Sequence, residues 1–168
     1  MGFAMIGPDV PNLHFAASGQ SSHSNLRQDS ATIAGVDLTT PVLVIEDEAM
    51  IAWMVESLLE DMGFTSITLA ANGEEALETA RGAAPGLIIT DINLGAGMDG
   101  IAAASAIRAQ SAAAVILITG YGLDDASSRC AAAIPGAPIL TKPVQILELQ
   151  DAIARVLAGS ASRDQEQA

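Results

Sequence analysis

From Pro41 onward, short aliphatic and β-branched runs alternate with longer stretches whose apolar positions fall three and four residues apart. The runs cover 42–45, 66–70, 87–90, 115–119 and 137–140, which are strand lengths. The stretches near 49–62, 73–82, 100–110, 124–133 and 144–158 carry helical periodicity. In the first of these, Ile51, Met54, Val55, Leu58 and Met62 form one apolar stripe, and Trp53 falls off it. Five strands alternating with five helices predict an α/β fold with a parallel sheet. The first, third and fourth runs are continuously apolar, so helices should cover both faces of that sheet in a three-layer sandwich.

The pattern also sets the expected boundaries. Residues 1–40 are rich in Gly, Ser, Asn and Gln without periodicity, which predicts a disordered N-terminal extension. The folded domain is expected over 41–159, and 160–168 reads as a disordered polar tail, too short for an output module. His14 and His23 lie in the extension with no cysteine or carboxylate at ligand spacing, so neither is assigned a metal.

Composition narrows the class. Of the 168 residues, 50% are hydrophobic but only 3% aromatic, so aliphatic side chains and alanine must build the core. Twenty acids against seven bases give a net charge of −13 with no basic cluster, which argues against nucleic-acid binding. An acidic excess also serves solubility. No apolar stretch approaches the roughly 20 residues of a membrane span, and no basic segment precedes a long apolar run, so no membrane insertion or secretion is expected. The single cysteine, Cys130, excludes an internal disulfide and fits a cytoplasmic setting.

In folds of this kind ligands bind at the carboxyl ends of the strands. The first run ends on Glu46-Asp47, the third on Asp91, and the fourth on Thr119. Three carboxylates meeting at one sheet edge repel one another unless a proton or a hard divalent cation lies between them. The cluster therefore points to a Mg²⁺-dependent phosphate site. Each residue also has a plainer reading: Asp91 as a loop cap, Glu46 as a solvated acid, Thr119 as a good β-former, Lys142 as a solvated lysine at a helix start.

Five short motifs follow in order: Val-Ile-Glu46-Asp47-Glu48, Ile-Thr-Asp91-Ile-Asn93, Met98-Asp99-Gly100, Ile-Thr119-Gly120 and Thr-Lys142-Pro143. Together they resemble the receiver domain of two-component response regulators across about 41–158. The resemblance implies a flavodoxin-like (βα)5 sandwich with strand order 2-1-3-4-5. It implies that Asp91 accepts a phosphoryl group from a sensor histidine kinase or histidine phosphotransferase. Glu46, Asp47, Asp91 and the Asn93 carbonyl would hold Mg²⁺. Lys142 would pair with Asp91 and then with the phosphate, across a Lys-Pro bond that is commonly cis in the family. Thr119 and Gly120 would bond the phosphoryl oxygens.

One departure bears on switching. Receivers usually carry Tyr or Phe three residues before the lysine, where this chain has Ile139, while Tyr121 follows Thr119-Gly120. This is a partial match to the single-domain subgroup called FAT GUY, so rotation of a strand-five aromatic cannot apply unchanged. Tyr121 reads as a shield or reporter of the acyl phosphate, or as a loop tyrosine. Trp53, beside the active-site edge, reads as a docking anchor for a kinase's helical bundle or as half-buried packing.

The resulting expectation is a stand-alone phosphorelay receiver. Its face around the last two predicted helices and the fifth strand would change affinity for a downstream protein target. The alternative from another class is a haloacid-dehalogenase-like Mg²⁺ phosphatase. That chemistry needs a general acid two residues after the nucleophile, where Asn93 stands. A flavodoxin-like electron carrier is disfavoured because the first loop is acidic rather than Gly- and hydroxyl-rich. A degenerate, phosphate-independent receiver is disfavoured because every chemical position is filled.

Overall fold

The computed structural model describes residue 33, residues 35–120 and residues 132–164, with side chains through residue 158. The predicted alternation is present. The elements are β1 (Val42–Ile45), α1 (Ala49–Asp61), β2 (Ile67–Ala70), α2 (Gly73–Ala83), β3 (Leu87–Asp91), α3 (Gly100–Arg108), β4 (Ala114–Thr119), β5 (Ile139–Thr141) and α4 (Ile146–Asp164). The helix expected over 124–133 lies mostly outside the described residues, as do His14, His23, Tyr121 and Cys130.

All strand pairs are parallel, and the order is β2-β1-β3-β4-β5, as expected for a flavodoxin-like sheet. Successive side chains point to opposite faces, so each buried strand feeds two cores. Leu43, Ile45, Ile88 and Leu117 pack with Ala76 of α2 and Ile101, Ala104 and Ile107 of α3. Val42, Val44, Leu87, Ile89 and Ile116 pack with Val55 and Leu59 of α1 and Leu149 and Ile153 of α4. On α1 the predicted stripe faces inward, joined by Ala52 and Leu59, whereas Trp53 is 63% exposed.

Local chemistry fixes the helix starts that matter for the site. Asn72 accepts a hydrogen bond from Glu75 N (2.8 Å) to cap α2, while the Glu75 carboxylate accepts one from Ala71 N (2.8 Å). Asp99 caps α3 by accepting from Ala102 N at 2.8 Å.

The structure corrects three boundaries. Ile33 is buried, and Val36 and Leu38 pack on the core beside α1 and α4, so the fold begins before residue 40. Three apolar residues placed on turns show no period, which hid them from the pattern. At the other end α4 runs to Asp164, so the polar stretch expected as tail from 160 is helical that far. The fifth strand runs from Ile139 to Thr141 rather than over 137–140, because Pro138 has no N–H to offer the ladder.

Candidate functional site

The register brings the acidic residues together. Ile45 pairs with Thr90 across β1 and β3, so the next residue on each strand, Glu46 and Asp91, emerges at the same edge. Asp47 follows at the start of the β1–α1 turn. One carboxylate oxygen from each of Glu46, Asp47 and Asp91 lies within 4.8 Å of the other two. Asp91 and Glu46 are buried, at 5% and 3% exposure, whereas Asp47 is exposed.

Lys142 reaches this cluster from the far side of the sheet, just past β5. Its Nζ donates to Asp91 Oδ2 at 2.6 Å and to Glu46 Oε1 at 3.0 Å. It lies 2.8 Å from Glu46 Oε2, an ion-pair contact outside hydrogen-bond geometry, and 3.8 Å from Glu48 Oε1. The Lys142 N–H donates to the Thr119 carbonyl at 2.8 Å, which ties the lysine to the end of β4. The Lys142–Pro143 peptide is cis.

These contacts shift the titration of both partners. Burial, the largest influence, pushes the Glu46 carboxyl above its usual range, against the hydrogen bond and charge of Lys142. Burial also works to lower the Lys142 ammonium, but its hydrogen bonds to Asp91 and Glu46 and their charges outweigh it, and the net shift is upward.

The remaining expected positions fall around this centre. Asn93 donates its N–H to Asp91 Oδ1 at 3.0 Å and is otherwise exposed. Gly95 donates its N–H to Asp47 Oδ2 at 3.1 Å. Thr119 is buried at the end of β4, paired with Thr141. Gly120 is exposed, and a Cβ there would make only ordinary contact with Lys142 Cδ, at 3.8 Å.

The donor set suits a hard divalent cation. All three side chains offer oxygen, and Glu46 Oε2 is buried without a hydrogen-bond partner among the described residues. One lysine also leaves the three carboxylates short of neutrality. Sequence reasoning missed Glu74, whose carboxylate Oε1 accepts the Met98 N–H at 3.2 Å. An exposed acid in the first turn of a helix gives no signal beyond helix-end electrostatics.

A five-stranded parallel sandwich with a lysine-bridged acidic cluster at its carboxyl edge defines a flavodoxin-like domain. A family profile described as the response regulator receiver domain matches residues 42–154, and the chain belongs to that family. It is 31% identical over 118 residues to a probable chemotaxis protein CheY of Rhizobium etli, covering 68% of this chain and 90% of that protein. It is 35% identical over 112 residues to the transcriptional regulatory protein PdtaR of Mycobacterium tuberculosis, covering 67% of this chain and 54% of PdtaR. Among solved structures, the Vibrio cholerae chemotaxis protein CheY4 aligns with a TM-score of 0.63 at 31% identity, covering 71% of this chain and 99% of that one. The chain spans about half the length, or less, of several curated relatives it matches.

The domain is thus a phosphorelay receiver, and the dehalogenase-like phosphatase reading falls: the family match supports none of it, and Asn93 supplies no general acid. Among the described residues no helix is long and apolar enough to cross a membrane.

Proposed function

We propose that Asp91 is the phosphoryl acceptor of a cytoplasmic phosphorelay switch. Glu46, Asp47, Asp91 and the Asn93 carbonyl hold Mg²⁺, and Lys142 is the fixed counter-charge. The observation that carries this reading is the 2.6 Å contact of Lys142 Nζ on Asp91 Oδ2 inside a three-carboxylate cluster. A lysine held there orients one oxygen of a buried carboxylate, and the Asn93 N–H holds the other.

In the transfer, an Asp91 oxygen attacks the phosphorus of a phosphohistidine. The O–P bond forms as the P–N bond breaks, and the electron pair leaves on the imidazole nitrogen, which then takes a proton from solvent. When bound, Mg²⁺ supplies positive charge against the phosphoryl oxygens. Lys142 then moves its charge from the Asp91 carboxylate to the phosphoryl group. The Thr119 hydroxyl and the Gly120 N–H bond that group's remaining oxygens, and Tyr121, next along the chain, shields or reports it.

Phosphorylation adds charge to a site tied through Lys142 to the ends of β4 and β5, which biases the face those strands share with α4. The donor is a sensor histidine kinase or histidine phosphotransferase whose helices meet α1 at the exposed Trp53. The acceptor of the signal is a downstream protein target, for which the acidic surface disfavours nucleic acid. The extension expected over 1–40 lies, up to residue 32, outside the described residues.

Acetyl phosphate with Mg²⁺, followed by intact mass, tests this. The expected result is a single phosphoryl increment on the wild type and none on Asp91→Asn. The same increment on Asp91→Asn would move the acceptor elsewhere. Continuous multiple-turnover release of phosphate would return the phosphatase reading.

A further inference from the structure

Three carboxylates from three different elements hold the loop between β3 and α3. Asp91 Oδ1 accepts the Asn93 N–H at 3.0 Å, Asp47 Oδ2 accepts the Gly95 N–H at 3.1 Å, and Glu74 Oε1 accepts the Met98 N–H at 3.2 Å. The first two belong to the acidic site. Glu74 does not: it stands in the first turn of α2, outside the cluster.

Close packing on both sides backs the Glu74 tether. Gly97 adopts a φ of +110°, and a Cβ on it would lie 3.0 Å from Glu74 Oε1, so the loop backbone passes directly over that carboxylate. Gly73 is buried, and a Cβ on it would stand 2.8 Å from both the Cβ and the carbonyl oxygen of Met98. The Met98 side chain in turn packs on the core between the sheet and α2 and α3. The far end of the loop is therefore seated on the N-terminus of α2.

We infer that Glu74 is a positioning residue for the metal site: by holding Met98 it fixes the loop that presents Gly95 to Asp47 and Asn93 to Asp91. This rests on the reading of that site as a Mg²⁺ centre. With Gly95 held on Oδ2, Asp47 keeps Oδ1 for a cation. Once the tether at Met98 is cut, residues 95–98 sample more conformations, and metal capture must then order them at an entropic cost. The tether requires an acceptor, not a charge. Glutamine keeps the acceptor oxygen and alanine does not, so the two variants separate a tether from a long-range charge effect, which both would share.

The experiment titrates Mg²⁺ calorimetrically into the full chain, Glu74→Gln and Glu74→Ala. It also follows amide exchange at Gly95 and Met98 by NMR in the metal-free proteins. Glu74→Gln is expected to bind Mg²⁺ within about twofold of wild type. Glu74→Ala should bind about fivefold more weakly, the size of one net hydrogen bond, with faster exchange at both amides. Wild-type affinity in Glu74→Ala overturns the inference and leaves the metal site standing. Equal losses in both variants also overturn it, by assigning the effect to charge. Failure of the wild type to take up Mg²⁺ would instead remove the reading of the site, and this inference with it.

Discussion

Gly100, the first residue of α3, stands so close to the end of β3 that a Cβ on it would lie 1.8 Å from the carbonyl oxygen of Asp91. The same Cβ would lie 2.4 Å from Thr90 Oγ1, the hydroxyl that donates to that carbonyl at 3.0 Å. The helix therefore starts in contact with the backbone of the proposed acceptor, and only a residue without a side chain fits between. Asp99 beside it caps the helix. The Met98-Asp99-Gly100 motif thus combines a core anchor, a cap and a clearance.

Gly100→Ala should cost about 3 kcal/mol, because neither contacting atom belongs to a flexible side-chain end that could move aside. Chemical denaturation measures this, and phosphorylation by acetyl phosphate should fall with it. A denaturation midpoint matching the wild type's would overturn this prediction.

Lys142→Ala leaves two buried carboxylates facing each other without their cation. Without Mg²⁺ its stability should drop by about 2 kcal/mol, below the range for fully buried pairs because the site opens on solvent. Saturating Mg²⁺ should narrow the gap, since a second cation then shares the neutralisation. The variant should still take a phosphoryl group but fail to pass the change on, so its partner affinity stays the same with and without phosphate. A phosphorylation-dependent change equal to the wild type's would defeat the role given to Lys142.

Burial pushes the Glu46 carboxyl above its ordinary range, so the metal-free fold holds this proton more tightly than the unfolded chain does. The stability this adds is full at pH below the unfolded value and is lost as pH rises through the folded one. A metal must displace that proton, so Mg²⁺ affinity should climb with pH across the interval above the usual glutamate range. Calorimetric titrations at several pH values should show the climb in the wild type and a flatter profile in Glu46→Gln. Identical profiles in the two proteins would show that this carboxyl does not face the ion.

Trp53 is exposed on α1, so Trp53→Ala should change stability by less than about 0.5 kcal/mol. Its effect should appear as slower transfer from a phosphorylated histidine kinase or phosphotransferase domain, with the acetyl phosphate rate unchanged. If both rates fall together, the side chain acts on the fold rather than on docking.

The amino-acid sequence alone determined the alternation of strands and helices and which residues close the first, third and fourth strands. In a parallel sheet every strand delivers its carboxyl end to one edge, so Glu46, Asp47, Asp91 and Thr119 could be placed at a common site from their positions alone. Strand lengths and helical stripes are properties of near neighbours, and the motifs around them carried the family.

Contacts that span the chain were beyond its local pattern. The Lys142–Asp91 pair, 51 positions apart, was expected only through the family resemblance, whereas the Lys142 contact with Glu46, 96 apart, and the Glu74 hold on Met98, 24 apart, were not expected. Such distances depend on strand order, register and the path of each loop, none of which a local pattern contains. Gly100 was visible as a motif letter, but its reason, a backbone passing within contact of Asp91, exists only once α3 is seated on the sheet. The burial of Ile33 was hidden likewise, since a lone apolar residue on a turn acquires a meaning only from the helices it meets.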